Sequence, residues 1–124
     1  MTFGNMGGNE QPETHAQHIV NLIDFGMNVQ MTTDAARFTH NQTSNVLSLE
    51  ANLFNRIGAA LRAKGHEVRS VTGGAVGGYQ GILFTRDSRL AEPVFDRNAT
   101  DDLPINGVYR AGSDHRKDGQ AVGW

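Results

Sequence analysis

The 124 residues contain no cysteine, which excludes disulfides and thiolate chemistry and leaves the compartment open. No apolar run approaches the ~20 residues a membrane span needs. No basic region followed by an apolar stretch opens the chain, so no signal peptide is visible. An excess of basic residues is also lacking. Eleven Lys and Arg face thirteen Asp and Glu, a net charge of −2, so a nucleic-acid partner has no electrostatic support. Internal repeats and low-complexity tracts are absent, and the length allows one domain at most, residues 1–124. Apolar residues make up 38%, enough for a small core. Glycine is plentiful, and it clusters.

Gly4, Gly7 and Gly8 form a turn that side chains cannot crowd, and a helix signal follows it. Pro12 suits a first helical turn, and Glu13 is acidic where the helix dipole favours it. Ala16, Ile19, Val20 and Ile23 recur at helical spacing, and Gly26 stands where a C-terminal cap belongs. Such a turn bares several backbone N–H groups together, so Gly7-Gly8 is a candidate anion or oxyanion site. The alternative is a plain turn. A G-x-G-x-x-G fingerprint and a P-loop lysine are both missing, so no nucleotide cofactor is expected. His15 and His18 share a helix face near Glu10 and Glu13, but nothing else converges on them. The expectation is two solvent-exposed histidines and no metal.

Further along, Asn28 is a candidate N-cap for a short helix over 29–36, closed by Arg37-Phe38. Arg37 reads as a structural arginine that caps carbonyls or pairs with Asp34, in preference to a carboxylate-binding one. Residues 46–50 alternate as a strand, 51–64 read as a helix ended by Gly65, and 67–71 as a strand. Gly58 inside that helix weakens it, which close packing would explain. Residues 72–78 form a second glycine cluster, either a flexible lid or tight loop near a ligand, or a connection between two strands that needs positive φ. A strand over 79–85 should bury Ile82, Leu83 and Phe84. Residues 86–105 show neither period and are expected to be mobile or packed on a neighbour. Asn106-Gly107 starts the last strand, 108–112. Ser113-Asp114-His115 holds all three residue types of a hydrolase triad, but consecutive extended residues point in alternating directions and cannot form a relay. After the Asp118-Gly119 turn, Val122 and Trp124 are expected to tuck against the body. Asn41-Gln42-Thr43 and Asn98-Ala99-Thr100 match glycosylation sequons, relevant only in a secretory eukaryotic setting. These elements describe an α+β protein with a mostly antiparallel sheet.

Five blocks carry a resemblance: Gly4-Asn5-Met6-Gly7-Gly8, Asn21 through Val29, Asp34 through His40, Gly77 through Phe84, and Tyr109 through Arg116. In this order, across nearly the whole chain, they resemble the C-terminal part of the small subunit of γ-glutamyltransferases. The resemblance implies part of an N-terminal nucleophile hydrolase αββα sandwich, with helices packed outside two stacked sheets. It also implies a first strand whose earlier part lies upstream, so Met1 is expected to be a start imposed on a longer element.

The implied chemistry is transfer of a γ-glutamyl group from glutathione or a related compound to water or an amino acceptor. A threonine freed by self-cleavage attacks the γ-carbonyl with its own α-amine as base. The glycine pair at Gly7-Gly8 supplies oxyanion-hole amides. The nucleophile and the residues that hold the glutamate are missing. Thr2 is not that nucleophile, and Asn5-Met6 replaces the Ser-Pro often found between the family's glycines. The chain alone is therefore expected to be inactive, its partners being the large subunit and the N-terminal part of the small one. It is expected to expose apolar surface and self-associate. A periplasmic or extracellular location is implied by the resemblance only. The alternatives are a non-catalytic interaction module or an anion-binding domain using the same turn.

Overall fold

The computed structural model describes residues 1–86 and 107–123. Two three-stranded sheets carry the fold. In the first, β1 (Thr2–Met6) and β6 (Gly107–Ser113) flank the central β5 (Gly78–Arg86), all antiparallel, with Asn5 opposite Tyr79 and Gly81 opposite Gly112. In the second, β2 (Phe38–Asn41) pairs antiparallel with β3 (Val46–Glu50), and β3 pairs parallel with β4 (Glu67–Val71). Parallel neighbours need a crossover, and here it is the helix α3 (Ala51–Ala63). The Asn41 side chain closes the β2–β3 turn by accepting the Thr43 and Ser44 amides.

Two more helices complete the layer. A single 3-10 turn, Gly8–Glu10, leads from β1 into α1 (Gln11–Ile23). Next comes α2 (Val29–Asp34), whose N-cap Asn28 accepts the Met31 amide at 2.8 Å, as the sequence indicates. The sheet is mostly antiparallel, with helices laid against it.

Several sequence expectations need correction. Helix α1 stops at Ile23, and α2 stops at Asp34 because Ala35 turns extended to lead into a strand that the sequence did not announce. β2 is short and largely polar, so it carries no period-two apolar signal. Ile82 is exposed, and the positions that β5 buries are Gly78, Tyr79 and Gly81. Val122 is exposed too. The larger correction concerns α1. Its apolar stripe faces outward: Ile19, Val20 and Ile23 are exposed, Ile23 by 69%. The polar stripe faces inward, and Thr14, His15 and Gln17 find hydrogen-bond partners there while His18 packs its ring. Thr14 and His15 bind Asn5, the Gln17 amide bonds both backbone groups of Phe38, and His18 stacks on Tyr79.

Among the described residues the buried apolar side chains are few: Val29, Leu49, Val68, Val76 and Tyr79. Around them the interior is polar. Gly58 is buried beneath Phe54, one turn back on α3, where an added Cβ would lie 3.3 Å from the ring. The expectation for residues 86–105, the second sequon and Trp124 fall, Arg86 apart, outside the described residues.

Candidate functional site

The ladder between β1 and β5 ends at Met6 opposite Gly78, and the chain then swings into Gly7 and Gly8. Their φ angles are 145° and 59°, values that side chains rarely adopt. Among the described residues neither amide donates to a loop carbonyl or a side chain, whereas the Gly7 carbonyl accepts from Glu10 at 3.2 Å. Both residues are exposed. A Cβ built on Gly8 meets nothing within 4 Å, so that side of the turn opens onto free space. Gly77 closes the turn from behind: a Cβ there would collide with the Met6 carbonyl. Of the two readings of the second glycine cluster, the connection needing positive φ is the one present: a 3-10 turn, Gly73–Val76, is followed by Gly77 at φ 80°.

Asn5 anchors this turn. Its side-chain amide donates to the Met6 carbonyl at 2.7 Å and to Thr14 Oγ1 at 3.0 Å. Its Oδ1 accepts from Arg37 at 3.0 Å. Behind it stands a buried chain of four charges. Arg37 pairs with Asp114, which also pairs with Arg116 at 3.1 Å. Arg116 grips both oxygens of Glu50 at 2.6 Å, and Glu50 returns to accept the Arg37 amide at 2.8 Å. Arg37 also caps the Val76 and Thr33 carbonyls. The chain of charges thus joins β1, α2, β3, β5 and the C-terminal segment around the glycine turn.

The electrostatics follow from this packing. Burial by itself would push the Asp114 carboxyl up. The Arg116 and Tyr79 backbone amides and the Arg37 guanidinium outweigh it and hold the group at about 2. Burial also pulls Arg37 down, and Asp114 opposes it; an arginine stays protonated regardless. For Arg116 burial is outweighed by Glu50 and Asp114, and its value rises. Burial, then the charge of Arg37, brings His18 down to about 4, so it is neutral at pH 7.

The sequence-derived candidates therefore separate. Gly7 and Gly8 stand together at the exposed turn. His15 and His18 diverge, and the expected exposure fails for His18, which is 1% exposed against Tyr79 with ring centroids 4.1 Å apart. Among the described residues no three His, Asp or Glu gather as a metal would require. Arg37 is structural, but its carboxylate is Asp114 and not Asp34, which instead meets His115 at 3.1 Å. Ser113, Asp114 and His115 point apart: Ser113 Oγ accepts from Gln80, Asp114 is buried and His115 is exposed. Sequence reasoning missed Asn5, Glu50, Asp114 and Arg116. No local signal marks them, because each has a partner 32 to 77 residues away along the chain.

A glycine turn between an edge strand and a helix, set on two small sheets with helices outside, defines a portion of the N-terminal nucleophile hydrolase sandwich. The chain belongs to the gamma-glutamyltranspeptidase family, whose sequence profile matches residues 1–124. It is 34% identical over 103 residues to the glutathione hydrolase proenzyme of Escherichia coli K12, covering 83% of this chain and 17% of that protein. A glutathione hydrolase-like proenzyme of Bacillus subtilis 168, YwrD, is 26% identical over 125 residues, 98% of this chain and 21% of that one. Among solved structures, a cephalosporin acylase from Bacillus halodurans superposes with a TM-score of 0.74 at 33% identity, covering 98% of this chain and 19% of that chain. A Helicobacter pylori gamma-glutamyltranspeptidase mutant superposes at 0.69 and 21% identity, over 93% and 53% of the two chains, a likeness of fold. The chain thus spans about a fifth of the length of these curated relatives.

Proposed function

We propose that this chain is the C-terminal part of a γ-glutamyltransferase small subunit and supplies that enzyme's oxyanion-hole amides from Gly7 and Gly8. The observation that supports it is the turn itself: two left-handed glycines just past the end of a ladder, with amides free of side-chain and loop partners among the described residues. In this reading an upstream threonine attacks the γ-carbonyl of a γ-glutamyl substrate such as glutathione. Charge gathers on the carbonyl oxygen in the tetrahedral intermediate. Fixed N–H donors stabilise it most when they need no reorganisation, which a turn pinned by Asn5 and Gly77 provides. Collapse gives a γ-glutamyl-threonine ester, which water or an amino acceptor then releases.

The nucleophile and the groups that hold the glutamate come from the rest of the small subunit and from the large one. Those parts also cover the outward stripe of α1, Ile19, Val20 and Ile23. A stripe of this kind equally suits a non-catalytic interaction module, so activity decides. The test is turnover of γ-glutamyl-p-nitroanilide. The chain alone should release no p-nitroaniline, and the chain joined to the upstream region of a family enzyme should do so. Sustained inactivity of a folded, self-processed joined protein favours the interaction module.

A further inference from the structure

The first strand β1 lies at the edge of its sheet, and Asn5 turns its backbone N–H away from β5 toward α1. There the acceptor is not a carbonyl but Nε2 of His15, at 3.0 Å. Side by side with this bond, the Asn5 side chain donates to Thr14 Oγ1 at 3.0 Å. Two adjacent bonds therefore tie residue 5 to residues 14 and 15, and the glycine turn is the loop they close. The Phe3 ring meets the His15 ring at 75° with centroids 5.3 Å apart, which fixes the imidazole plane.

We infer that His15, in its neutral form, is a positioning residue for the Gly7-Gly8 turn, and that protonation of its imidazole releases that turn. A backbone amide can only donate, so Nε2 must carry a lone pair and the proton must sit on Nδ1. Imidazolium has two donors and no acceptor. On protonation two N–H groups would point at each other across 3.0 Å, and the amide of a buried residue would lose its partner. His15 is half-exposed, so solvent protons reach it, whereas His18 is sealed. The titratable and charged groups around it are few. Glu10 caps α1, which itself carries Glu13 and His18; β5 brings Tyr79, Arg37 lies beyond Asn5, and β2 brings His40, whose amide binds Glu13. β1 carries none. The consequence for catalysis rests on the oxyanion reading; the coupling of turn to imidazole does not.

The experiment follows the amides of Asn5, Gly7 and Gly8 and the His15 ring by NMR in the 124-residue chain between about pH 5 and 8. A His18→Phe background keeps the sealed histidine from contributing. The three amides should titrate with the midpoint of the His15 ring, and Asn5 exchange, corrected for intrinsic rate, should quicken about tenfold on the acid side. His15→Gln, whose side-chain carbonyl can accept the same bond, should hold the turn and abolish the pH dependence. His15→Phe should show the acid-side spectrum at every pH. Amides indifferent to the His15 titration, or tracking a carboxylate, overturn the inference, and so does a His15→Gln chain that keeps the wild-type pH dependence. If His15→Phe fails to fold, the wild-type titration and His15→Gln decide. A turn that titrates in a family enzyme whose turnover ignores Gly8→Val would keep this inference and remove the oxyanion reading.

Discussion

Asp114 shows how much rests on single residues. It accepts from Arg37, from the amides of Tyr79 and Arg116, and from the Arg116 guanidinium, and it is fully buried. Removing one partner from a buried pair leaves the other charge uncompensated, so Asp114→Asn should destabilise by about 3–5 kcal/mol in urea unfolding. A loss below about 1 kcal/mol would mean that the network is not a stability element. The pH dependence follows from His18 and Asp114. His18 has a folded value of about 4 against 6.5 unfolded, so the unfolded chain binds the extra proton between those values. Stability is full above 6.5, falls as pH drops through that window, and levels below 4, a loss on the order of 3 kcal/mol. Asp114 adds a second loss between 3.8 and about 2. Thermal unfolding against pH should show a larger first loss in the wild type than in His18→Phe. None of this was legible beforehand, because burial of a histidine or an aspartate depends on what the rest of the chain brings to it.

At the scale of elements the sequence was informative about type and poor about facing. The helices α1 and α3, the Asn28 cap, and the strands β3 and β4 were readable because period, cap and glycine stop agreed. A period reveals a stripe, though, and says nothing about what covers it. For α1 the assumption that apolar means inward failed, since Thr14, His15, Gln17 and His18 are bound on the inside. The same geometry gives a prediction. Ile23→Ser in the isolated chain should change stability by less than about 0.5 kcal/mol, whereas Leu49→Ala should cost about 2–5 kcal/mol. The isolated chain should also associate with rising concentration in sedimentation, and Ile19→Ser with Ile23→Ser should weaken that association. A wild-type chain that stays monomeric throughout would mean that the stripe is tolerated in water.

At the scale of the whole molecule, family membership was legible because five blocks kept their order, and the structure lays four of them around one turn. Gly4 to Gly8 form that turn, Arg37 and Tyr109 to Arg116 reach it through the ion-pair chain, and Gly77 backs it. The central claim is that the amides of Gly7 and Gly8 stabilise the oxyanion once the rest of the enzyme is present. Its most direct test is Gly8→Val in a complete, self-processed enzyme, with kcat for hydrolysis and for transfer measured beside the melting temperature. Position 8 has open space around its Cβ but a φ of 59°, so valine should displace the turn without colliding with the core. The account predicts that kcat falls about 10²–10³-fold for both reactions, since both pass through the same first intermediate, while the melting temperature changes little. Wild-type turnover in a folded, processed Gly8→Val enzyme would contradict it.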